Sequence, residues 1–436
     1  MKKIYFLLAV LIAATGTKAQ NNKCATMHVF HESIKQQNLK STFYTAEQEA
    51  EKWLKENKKL FNQKQQQVVI KIPVVVHVVY KTAAQNVPDS NIISQIAVLN
   101  ECFRKLNSNF VNTRSIFDSI GTDVEIEFCL ADKDPMGNST TGIIRKSAPT
   151  SAAFDPLTGF DNVKKPSMGG DTLWPPSQYL NIWTCDMSVF SFEVVLGYAQ
   201  FPGMAQQTDG VVIQHNYFGR NAKPKFLGKT TVHEVGHWLG MRHIWADDAP
   251  GLSQPGTCDS TDFVGDTPNC KSQSASNCDT VINSCSNEDS YWGTIDPPDM
   301  VENYMDYSKD SCMTMFSKGQ KVRMYSFLNT NPDRIAIKTS TAGCNNYASV
   351  SELKNFENHV NIYPNPATSQ VKISLSNISN SDFDYEMYNA TGQRIKRGEI
   401  NYLITEVNTA DLANGIYFLK VFNLSNTTTK KLVINR

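Results

Sequence analysis

Two histidines four residues apart, with a glutamate directly after the first, stand in the segment HEVGH. Residues four apart share one face of a helix, so His233 and His237 can reach one metal ion while Glu234 faces its open coordination position. Catalytic zinc takes three protein ligands and keeps a fourth position for water. Gly240 can adopt the left-handed conformation that ends a helix, which lets the chain return His243 as the third ligand. These residues predict zinc-dependent hydrolysis with Glu234 as the general base.

An ordinary amphipathic helix, with histidines facing a core or solvent, is the alternative for a bare HExxH pattern. The extended pattern HExxHxxGxxH constrains five positions and stands here complete as HEVGHWLGMRH, which argues against that alternative. In this segment and in ENYMDYS, residues 302–308, the chain resembles the metzincins and in particular their pappalysin branch, which includes the cytophagalysins and ulilysin. The resemblance implies a methionine turn at Met305 beneath the zinc and hydrolysis of peptide bonds in protein or peptide substrates.

The same resemblance implies roles for three further residues. Tyr307 would stabilise the tetrahedral oxyanion, with a packed core tyrosine as the alternative. Asp310 would lie in a primed-side pocket that takes Arg or Lys, although a charged residue there is equally consistent with a solvated loop position. Cys24, in the segment KCAT, would occupy the fourth zinc position and keep the precursor inactive, and a structural or unpaired cysteine is the alternative.

Acidic residues and cysteines cluster after the zinc motif. The resemblance implies calcium, whose hard oxygen ligands would come from Asp259, Asp262, Asp266 and Thr267, whereas acidic loops are usually only solvated. The spacing of the cysteines suggests two disulfides in a loop-rich stretch, Cys258–Cys285 and Cys278–Cys312. No partner is assigned to the cysteines at positions 102, 129, 185, 270 and 344.

The segments around these residues predict a mixed α/β or α+β domain. Val68–Tyr80 reads VVIKIPVVVHVVY, a β-branched run suited to a buried strand, and helical spacing of apolar residues follows at Ser90–Leu106. The other predicted elements are strands at Val124–Leu130, Tyr179–Trp183, Val194–Phe201 and Gly210–Gln214 and a zinc-motif helix at Thr230–Met241. The resemblance covers most of residues 68–330 and makes LGYAQFP, residues 196–202, the edge strand that pairs with substrate. We therefore expect a metzincin-like fold with a lower subdomain stapled by disulfides.

The sequence changes character beyond Asn345. Short strands separated by Asn, Ser, Thr and Gly turns, such as Gln370–Leu375, Asp384–Tyr388 and Ile416–Phe422, predict a small all-β, immunoglobulin-like sandwich. The segments NIYPNPATSQVKISL and NGIYFLKV resemble the carboxy-terminal sorting domain of the type IX secretion route, with a generic adhesion module as the alternative. The type IX secretion machinery is therefore an expected partner.

The chain as a whole is predicted to have five regions. They are a signal peptide at 1–19, a partly helical, exposed propeptide at 20–65, the catalytic domain at 66–345, a linker at 346–357 and the sorting domain at 358–436. Ten cysteines suit an oxidising compartment, and no segment after the signal peptide is long and apolar enough to span a membrane. The 42 basic and 42 acidic side chains give zero formal charge, which disfavours nucleic acid as a partner.

These features predict a zymogen exported through the periplasm of a Gram-negative cell and then either released or held at the cell surface. A rival from another class of function is a surface adhesin whose metal site is vestigial. The intact Glu234 argues against that rival, because an inactive site does not need a general base.

Overall fold

A computed structural model describes residues 24–37, 39–57, 68–157, 159–188, 195–220, 222–223, 225–246, 256–274, 278–286, 291–344, 360–375, 383–400, 404–422 and 427–436. The expected signal peptide, the expected linker and the last part of the expected propeptide lie outside these residues. The described residues form separate hydrophobic cores before position 345 and after position 359, and the two parts are described in turn.

A six-stranded sheet forms the centre of the first part. Its strands are β1 (Ile70–Tyr80), β2 (Ile126–Leu130), β3 (Ile143–Ser147), β4 (Leu180–Cys185), β5 (Gly197–Ala199) and β6 (Val211–Gln214). The order is β2-β1-β4-β6-β5, and β3 pairs with β1 beyond the end of β2. Neighbouring strands are parallel except β5, which runs antiparallel to β6 at the edge. The segment expected to pair with substrate is therefore an edge strand in the structure.

The long strand β1 is buried without interruption from Ile72 to Val79, as expected of a central parallel strand covered on both faces. Helix α3 (Asp89–Phe103) packs on β2, and helix α5 (Lys229–Trp238) packs on α3, β5 and β6. Helix α5 carries the zinc motif and stops at Trp238, before the predicted end. Its packing holds the motif directly behind the edge strand.

The predicted loop-rich, stapled lower region lies between α5 and the two helices α6 (Lys318–Thr330) and α7 (Pro332–Ile337). The structure contains the two disulfides that the spacing suggested, Cys258–Cys285 and Cys278–Cys312. A third disulfide, Cys129–Cys344, joins β2 to the chain after α7. Neither of its cysteines was assigned a partner from the sequence. Strand β3, the short helix α4 (Ser115–Asp118), α6 and α7 are not among the predicted elements.

The described part of the expected propeptide, residues 24–37 and 39–57 (the lead-in), forms two helices, α1 (Thr26–Gln37) and α2 (Lys40–Asn57). The prediction of an exposed lead-in was wrong, because Phe43, Ala46, Glu47 and Ala50 of α2 are buried. These positions follow the i, i+3, i+4, i+7 spacing of one helix face. That face packs against α6, and the Phe43 ring lies 5.9 Å from the ring of Phe201, so α2 is docked on the domain that follows it.

The second part is an all-β sandwich, as predicted. Its strands are β7 (Val360–Tyr363), β8 (Gln370–Leu375), β9 (Phe383–Asn389), β10 (Arg394–Ile400), β11 (Ile404–Asn408), β12 (Gly415–Phe422) and β13 (Thr427–Ile434). They form two antiparallel sheets, β10-β9-β12-β13 and β11-β8-β7, which enclose their own core. Among the helices that the structure describes, none combines the length and apolarity that a membrane span requires.

Candidate active site

Helix α5 carries the first two histidines of the motif and ends in a turn that returns the third. The N–H of Gly240 donates to His237 O at 2.8 Å and the N–H of Met241 donates to Gly236 O at 3.0 Å, which is the Schellman pattern. Gly240 has a φ of +90°, and a Cβ at this position would lie 2.1 Å from the Phe327 ring. The turn therefore requires glycine, as the sequence predicted.

The three motif histidines converge through their Nε2 atoms, which lie 3.1 Å from one another in every pair. His233 Nδ1 lies 2.7 Å from Tyr304 O, and His237 Nδ1 lies 2.7 Å from Met241 O. An Nδ1–H that donates to a carbonyl leaves the Nε2 lone pair free to bind a metal. Burial lowers the pKa of His237 well below its usual value, which favours the neutral, metal-binding form.

Cys24 supplies a fourth donor, because its Sγ and the three histidine nitrogens all lie within 4.8 Å of one another. Among the described residues, this is the group of His, Cys, Asp and Glu side chains close enough to share an ion. Nitrogen ligands at 2.0–2.1 Å from a tetrahedral zinc ion are about 3.3 Å apart, near the observed spacing. The donor set of three imidazoles and a thiol, all buried, therefore fits zinc.

Glu234 lies beside this group and is fully buried. Its Oε2 accepts hydrogen bonds from Thr26 Oγ1 at 2.9 Å and from the thiol of Cys24 at 3.3 Å, while its Oε1 has no hydrogen-bond partner among the described residues. Burial raises the pKa of Glu234 to about 8. A Cβ on Gly197 would lie 2.8 Å from Glu234 Cγ, so the glycine of β5 makes room for this side chain. Neither Thr26 nor Gly197 was predicted from the sequence to lie at the site, although Thr26 belongs to the KCAT segment.

Met305 lies against helix α5, where the methionine turn was expected. A Cβ on Gly236 would lie 2.5 Å from Met305 Sδ, so the sulfur fills the space that a side chain at 236 would need. The N–H of Met305 donates to Asn303 Oδ1 at 2.8 Å, which fixes the turn. Tyr304 in the same turn supplies the carbonyl next to His233, so the turn also orients a metal-binding histidine.

The segment around Cys24 lies along the edge strand β5 and runs parallel to it. The N–H of Ala25 donates to Gly197 O at 2.9 Å, and the N–H of Ala199 donates to Thr26 Oγ1 at 2.9 Å. The hydroxyl of Tyr307 donates to Cys24 O at 3.1 Å. The lead-in therefore occupies the backbone groups of the edge strand and the tyrosine hydroxyl at the same time.

Asp310 is buried rather than solvated, and it lines a small pocket next to His233 and Glu234. Its Oδ2 accepts hydrogen bonds from the N–H of Leu227 at 2.7 Å and the N–H of Lys229 at 3.2 Å. The other residues that line this pocket are Thr230, Asp306, Tyr307 and Met313. The structure thus brings Asp310 and Tyr307 to one pocket beside the metal-binding group.

The residues expected to bind calcium have other contacts in the structure. Asp262 accepts from the N–H of Val264 and from the hydroxyl of Thr267 at 2.8 Å. Asp266 accepts from Ser317 Oγ at 2.6 Å and from the N–H of Gly319, at the amino-terminal end of α6. Burial raises the pKa of Asp262 to about 7 and also raises the pKa of Asp266. The structure brings these two carboxylates and Thr267 together in one loop, and Asp259 precedes them in the chain.

Comparison with protein families gives two matches. Residues 167–329 match the family model described as pregnancy-associated plasma protein-A, and residues 361–435 match a secretion system C-terminal sorting domain. Curated relatives include the extracellular metalloprotease 1 of Coccidioides posadasii, 40% identical over 138 residues, and an extracellular metalloprotease of Arthroderma benhamiae, 39% identical over 138 residues. Each alignment covers 30% of this chain but only 44% and 42% of those relatives, so the chain matches less than half of their length.

Two solved structures match this chain over nearly the whole of their own length. A promirolysin variant of Tannerella forsythia is 38% identical with a TM-score of 0.58, and the match covers 73% of this chain and 97% of that one. Mature mirolysin of the same organism, in complex with a cleaved peptide, is 42% identical with a TM-score of 0.53, covering 63% and 97%. With these matches and the complete zinc motif, the chain belongs to the pregnancy-associated plasma protein-A family of metalloproteases, the pappalysins, and carries a sorting domain of the type IX secretion kind in residues 361–435.

Proposed function

We propose that this chain is a secreted zinc-dependent endopeptidase that hydrolyses peptide bonds in proteins and is made as a latent precursor. The observation that carries the proposal is the convergence of three histidine Nε2 atoms and one thiol beside Glu234. A neutral imidazole donor set with an adjacent carboxylate is the arrangement of metal-assisted hydrolysis. The zymogen form of a related protein, promirolysin, supports the precursor part of the proposal.

His233, His237 and His243 would hold the zinc, which when bound supplies a Lewis acid that polarises the scissile carbonyl and lowers the pKa of water. Glu234 takes the proton of the attacking water on its carboxylate and returns it to the leaving amine. Tyr307, which donates to Cys24 O in the precursor, would donate to the carbonyl oxygen of the substrate once the lead-in has left.

The same contacts support latency. Cys24 Sγ would fill the fourth zinc position, where the attacking water would otherwise bind, and it lies 3.3 Å from Glu234 Oε2. The hydroxyl of Thr26 binds both the general base and the edge strand, because it donates to Glu234 Oε2 and accepts from the N–H of Ala199. Substrate can therefore enter only after the lead-in has been displaced. Cleavage between α2 and β1, in residues 58–67, would release it.

The pocket next to His233 and Glu234 supports a preference for Arg or Lys on the primed side of the scissile bond. Asp310 is a carboxylate of that pocket, and both of its backbone hydrogen bonds go to one oxygen, Oδ2. A buried carboxylate pairs favourably with a guanidinium or ammonium group. Calcium is a second proposed ion, for the buried carboxylates of Asp262 and Asp266, whose raised pKa values reflect the cost of burying their charged forms.

The sorting domain and the extracellular relatives support export through the periplasm of a Gram-negative cell to the outside or to the cell surface. Type IX secretion machinery is the partner that such a domain implies. Cell fractionation of a strain that expresses the chain without residues 361–435 is the measurement for this part. Protein that still reached the medium would contradict the proposed route.

The catalytic proposal is tested by Glu234→Ala. The variant should retain one zinc ion per chain, since the four ligands are unchanged, but its turnover of a quenched peptide after activation should fall by a factor of about 100 or more. Zinc content by atomic absorption and hydrolysis by fluorescence are the two measurements. Wild-type turnover in a zinc-loaded variant would remove Glu234 from the mechanism, whereas a zinc-loaded, activated wild-type chain without turnover would favour a non-catalytic surface protein.

A further inference from the structure

An acidic residue of the lead-in is paired with two arginines far along the chain. Glu47 Oε2 accepts from Arg323 Nη2 at 2.8 Å, and Glu47 Oε1 lies 3.7 Å from Arg242 Nη2. All three residues are buried, with exposures of 7% for Glu47, 7% for Arg242 and 1% for Arg323. Buried charges are tolerated in proteins when they are paired, so Arg323, whose Nη2 donates to Glu47, depends on this carboxylate.

Aromatic rings surround the two guanidinium groups. Arg242 lies 5.0 Å from the centre of the Phe201 ring, and Arg323 lies 5.0 Å from the Phe263 ring and 5.3 Å from the Phe327 ring. These rings remain when the lead-in is removed, and their faces hold a guanidinium in place by cation–π attraction. Arg323 Nε also donates to Gly240 O at 3.0 Å, which anchors its side chain to the turn of the zinc motif.

Removal of the lead-in takes away Glu47 but leaves both arginines. Among the described residues that remain, Asp262 is an acid close enough to interact with Arg323. Its two oxygens already accept hydrogen bonds from the N–H of Val264 and the hydroxyl of Thr267. Arg323 Nη1 is buried without a hydrogen-bond partner among the described residues even in the precursor. The mature protein therefore retains Arg323 as a preorganised cation with at least one unused donor at this place.

We propose that Arg323, with Arg242 beside it, forms a carboxylate-binding subsite of the mature protein, which is filled by Glu47 in the precursor and by an acidic side chain of a polypeptide afterwards. The subsite adjoins the metal site, because the Phe201 ring that faces Arg242 also lies 5.5 Å from the ring of His237. The inference rests on the proposed removal of the lead-in during maturation. The polypeptide carboxylate has two sources, the released lead-in or an acidic segment of a substrate.

Binding of a labelled peptide with the sequence of residues 39–57 tests the subsite. The protein is the full chain carrying Glu234→Ala, cut within residues 58–67 by a site-specific protease after folding and separated from its lead-in. Fluorescence anisotropy should show at least about tenfold weaker binding for the Glu47→Gln peptide, because a charge-assisted hydrogen bond to a buried arginine is lost. The matched control is the Glu49→Gln peptide, which changes an exposed acid of the same helix and should bind as the unchanged peptide does.

Substitutions in the protein test whether Arg323 is the group that binds the Glu47 carboxylate of the peptide. In Arg323→Gln the difference in affinity between the unchanged peptide and the Glu47→Gln peptide should shrink to less than about threefold, and in Arg145→Gln, a change in strand β3, it should persist. Displacement of the label by unlabelled substrate peptides with Glu, but not with Gln, assigns the subsite to substrates. Displacement by the lead-in alone assigns it to the released propeptide.

Equal affinity of the unchanged peptide and the Glu47→Gln peptide would overturn the proposal, and this comparison alters the peptide only, so it does not depend on how the protein variants fold. The readout also needs no catalysis. An activated wild-type chain that failed to cleave peptides would contradict the proposed function but would leave the binding difference in place.

Discussion

At the residue scale, the metal site depends on which nitrogen of each histidine faces inward. His233 and His237 have Nδ1 at 2.7 Å from the backbone carbonyls of Tyr304 and Met241, so the Nε2 atoms face a common centre. These acceptors belong to the backbone, and side-chain substitutions at 304 and 241 do not remove them. The methionine turn and the Schellman turn are therefore parts of the site, since their backbone positions set the ligand orientation.

The contact between Gly236 and Met305 predicts that Gly236→Ala destabilises the fold. Alanine in a helix is usually favoured over glycine by about 1 kcal/mol, but overpacking of a core costs about 1–3 kcal/mol, and here the added Cβ would lie 2.5 Å from Met305 Sδ. Urea unfolding of the inactive Glu234→Ala chain should therefore show a lower free energy of unfolding. Gly265→Ala, where a Cβ meets nothing within 4 Å, is the matched control. A Gly236→Ala chain of unchanged or greater stability would contradict this packing.

The position of Asp310 in the pocket predicts that Asp310→Asn weakens the preference for substrates with Arg or Lys on the primed side. Asparagine can keep both backbone hydrogen bonds, because the N–H groups of Leu227 and Lys229 donate to the same oxygen, so the substitution mainly removes charge. We expect kcat/KM for substrates with Arg or Lys on the primed side to fall about 10- to 100-fold relative to substrates with Leu there. The comparison within one variant controls for general damage. An unchanged ratio would assign the basic preference to another residue.

At the element scale, the edge strand β5 is the surface for which, in the proposed mechanism, the lead-in and a substrate would compete. The strand is only three residues long, and the lead-in already contacts its first and last residues, Gly197 and Ala199. An edge strand with free backbone groups is suited to pairing with an extended peptide. The lead-in pairs there through Ala25 and continues as α1 from Thr26. Cys24, just before this helix, lies at the metal site, and the rest of the lead-in would stay away from the scissile position.

The loop before α6 predicts a stabilising effect of calcium. If Asp262 and Asp266 bind the ion, calcium offsets the burial of their negative charges, and binding at 100 times Kd would stabilise the fold by about 2.7 kcal/mol. The Tm of the calcium-free Glu234→Ala chain should then rise by a few degrees on addition of millimolar calcium, and Asp262→Asn should lose most of that rise. Asp279→Asn, in another loop, is the control. A Tm that calcium does not change would leave the two carboxylates as hydrogen-bond acceptors only.

At the scale of the whole molecule, the proposed latency depends on two separate sets of contacts. Cys24 and Thr26 occupy the metal site and the base, while α2 is held by the buried pairing of Glu47 with Arg323. The helix face of α2 packs along α6. Displacing the thiol alone therefore leaves most of the lead-in in place.

This arrangement predicts partial activation of the precursor by Cys24→Ala. Without the thiol the fourth position can take water, but Ala25 and Thr26 still occupy the edge strand and α2 remains packed on α6, so the rise in activity should be well below that of the fully processed chain. The measurement is hydrolysis of a quenched peptide by chains whose lead-in lysines at 52, 55, 58, 59 and 64 are substituted to prevent processing.

The control for that experiment is the same lysine-substituted chain with Cys24 intact. Cys24→Ser is a weaker comparison, because a hydroxyl can still approach the metal. Equal latency of the control and the Cys24→Ala chain would show that covering of the edge strand alone keeps the precursor inactive.

The zinc ligands and the general base could be predicted from the sequence without the tertiary structure. HEVGHWLGMRH specifies them through local geometry, because helix spacing and one left-handed glycine decide where those side chains go. The β-branched run of β1 and the short strands after position 359 were equally predictable, since burial on both faces and alternation are properties of single segments.

Tertiary structure alone decided which distant groups meet at these elements. The lead-in was predicted to be exposed because its apolar residues are sparse, yet one face of α2 is buried against α6, and Glu47 meets Arg323, 276 positions further along the chain. Likewise Cys129 finds Cys344 across 215 residues, and Gly197 clears space for Glu234. Such contacts depend on how packed elements are placed relative to one another, and residue spacing within a segment carries no information about that placement.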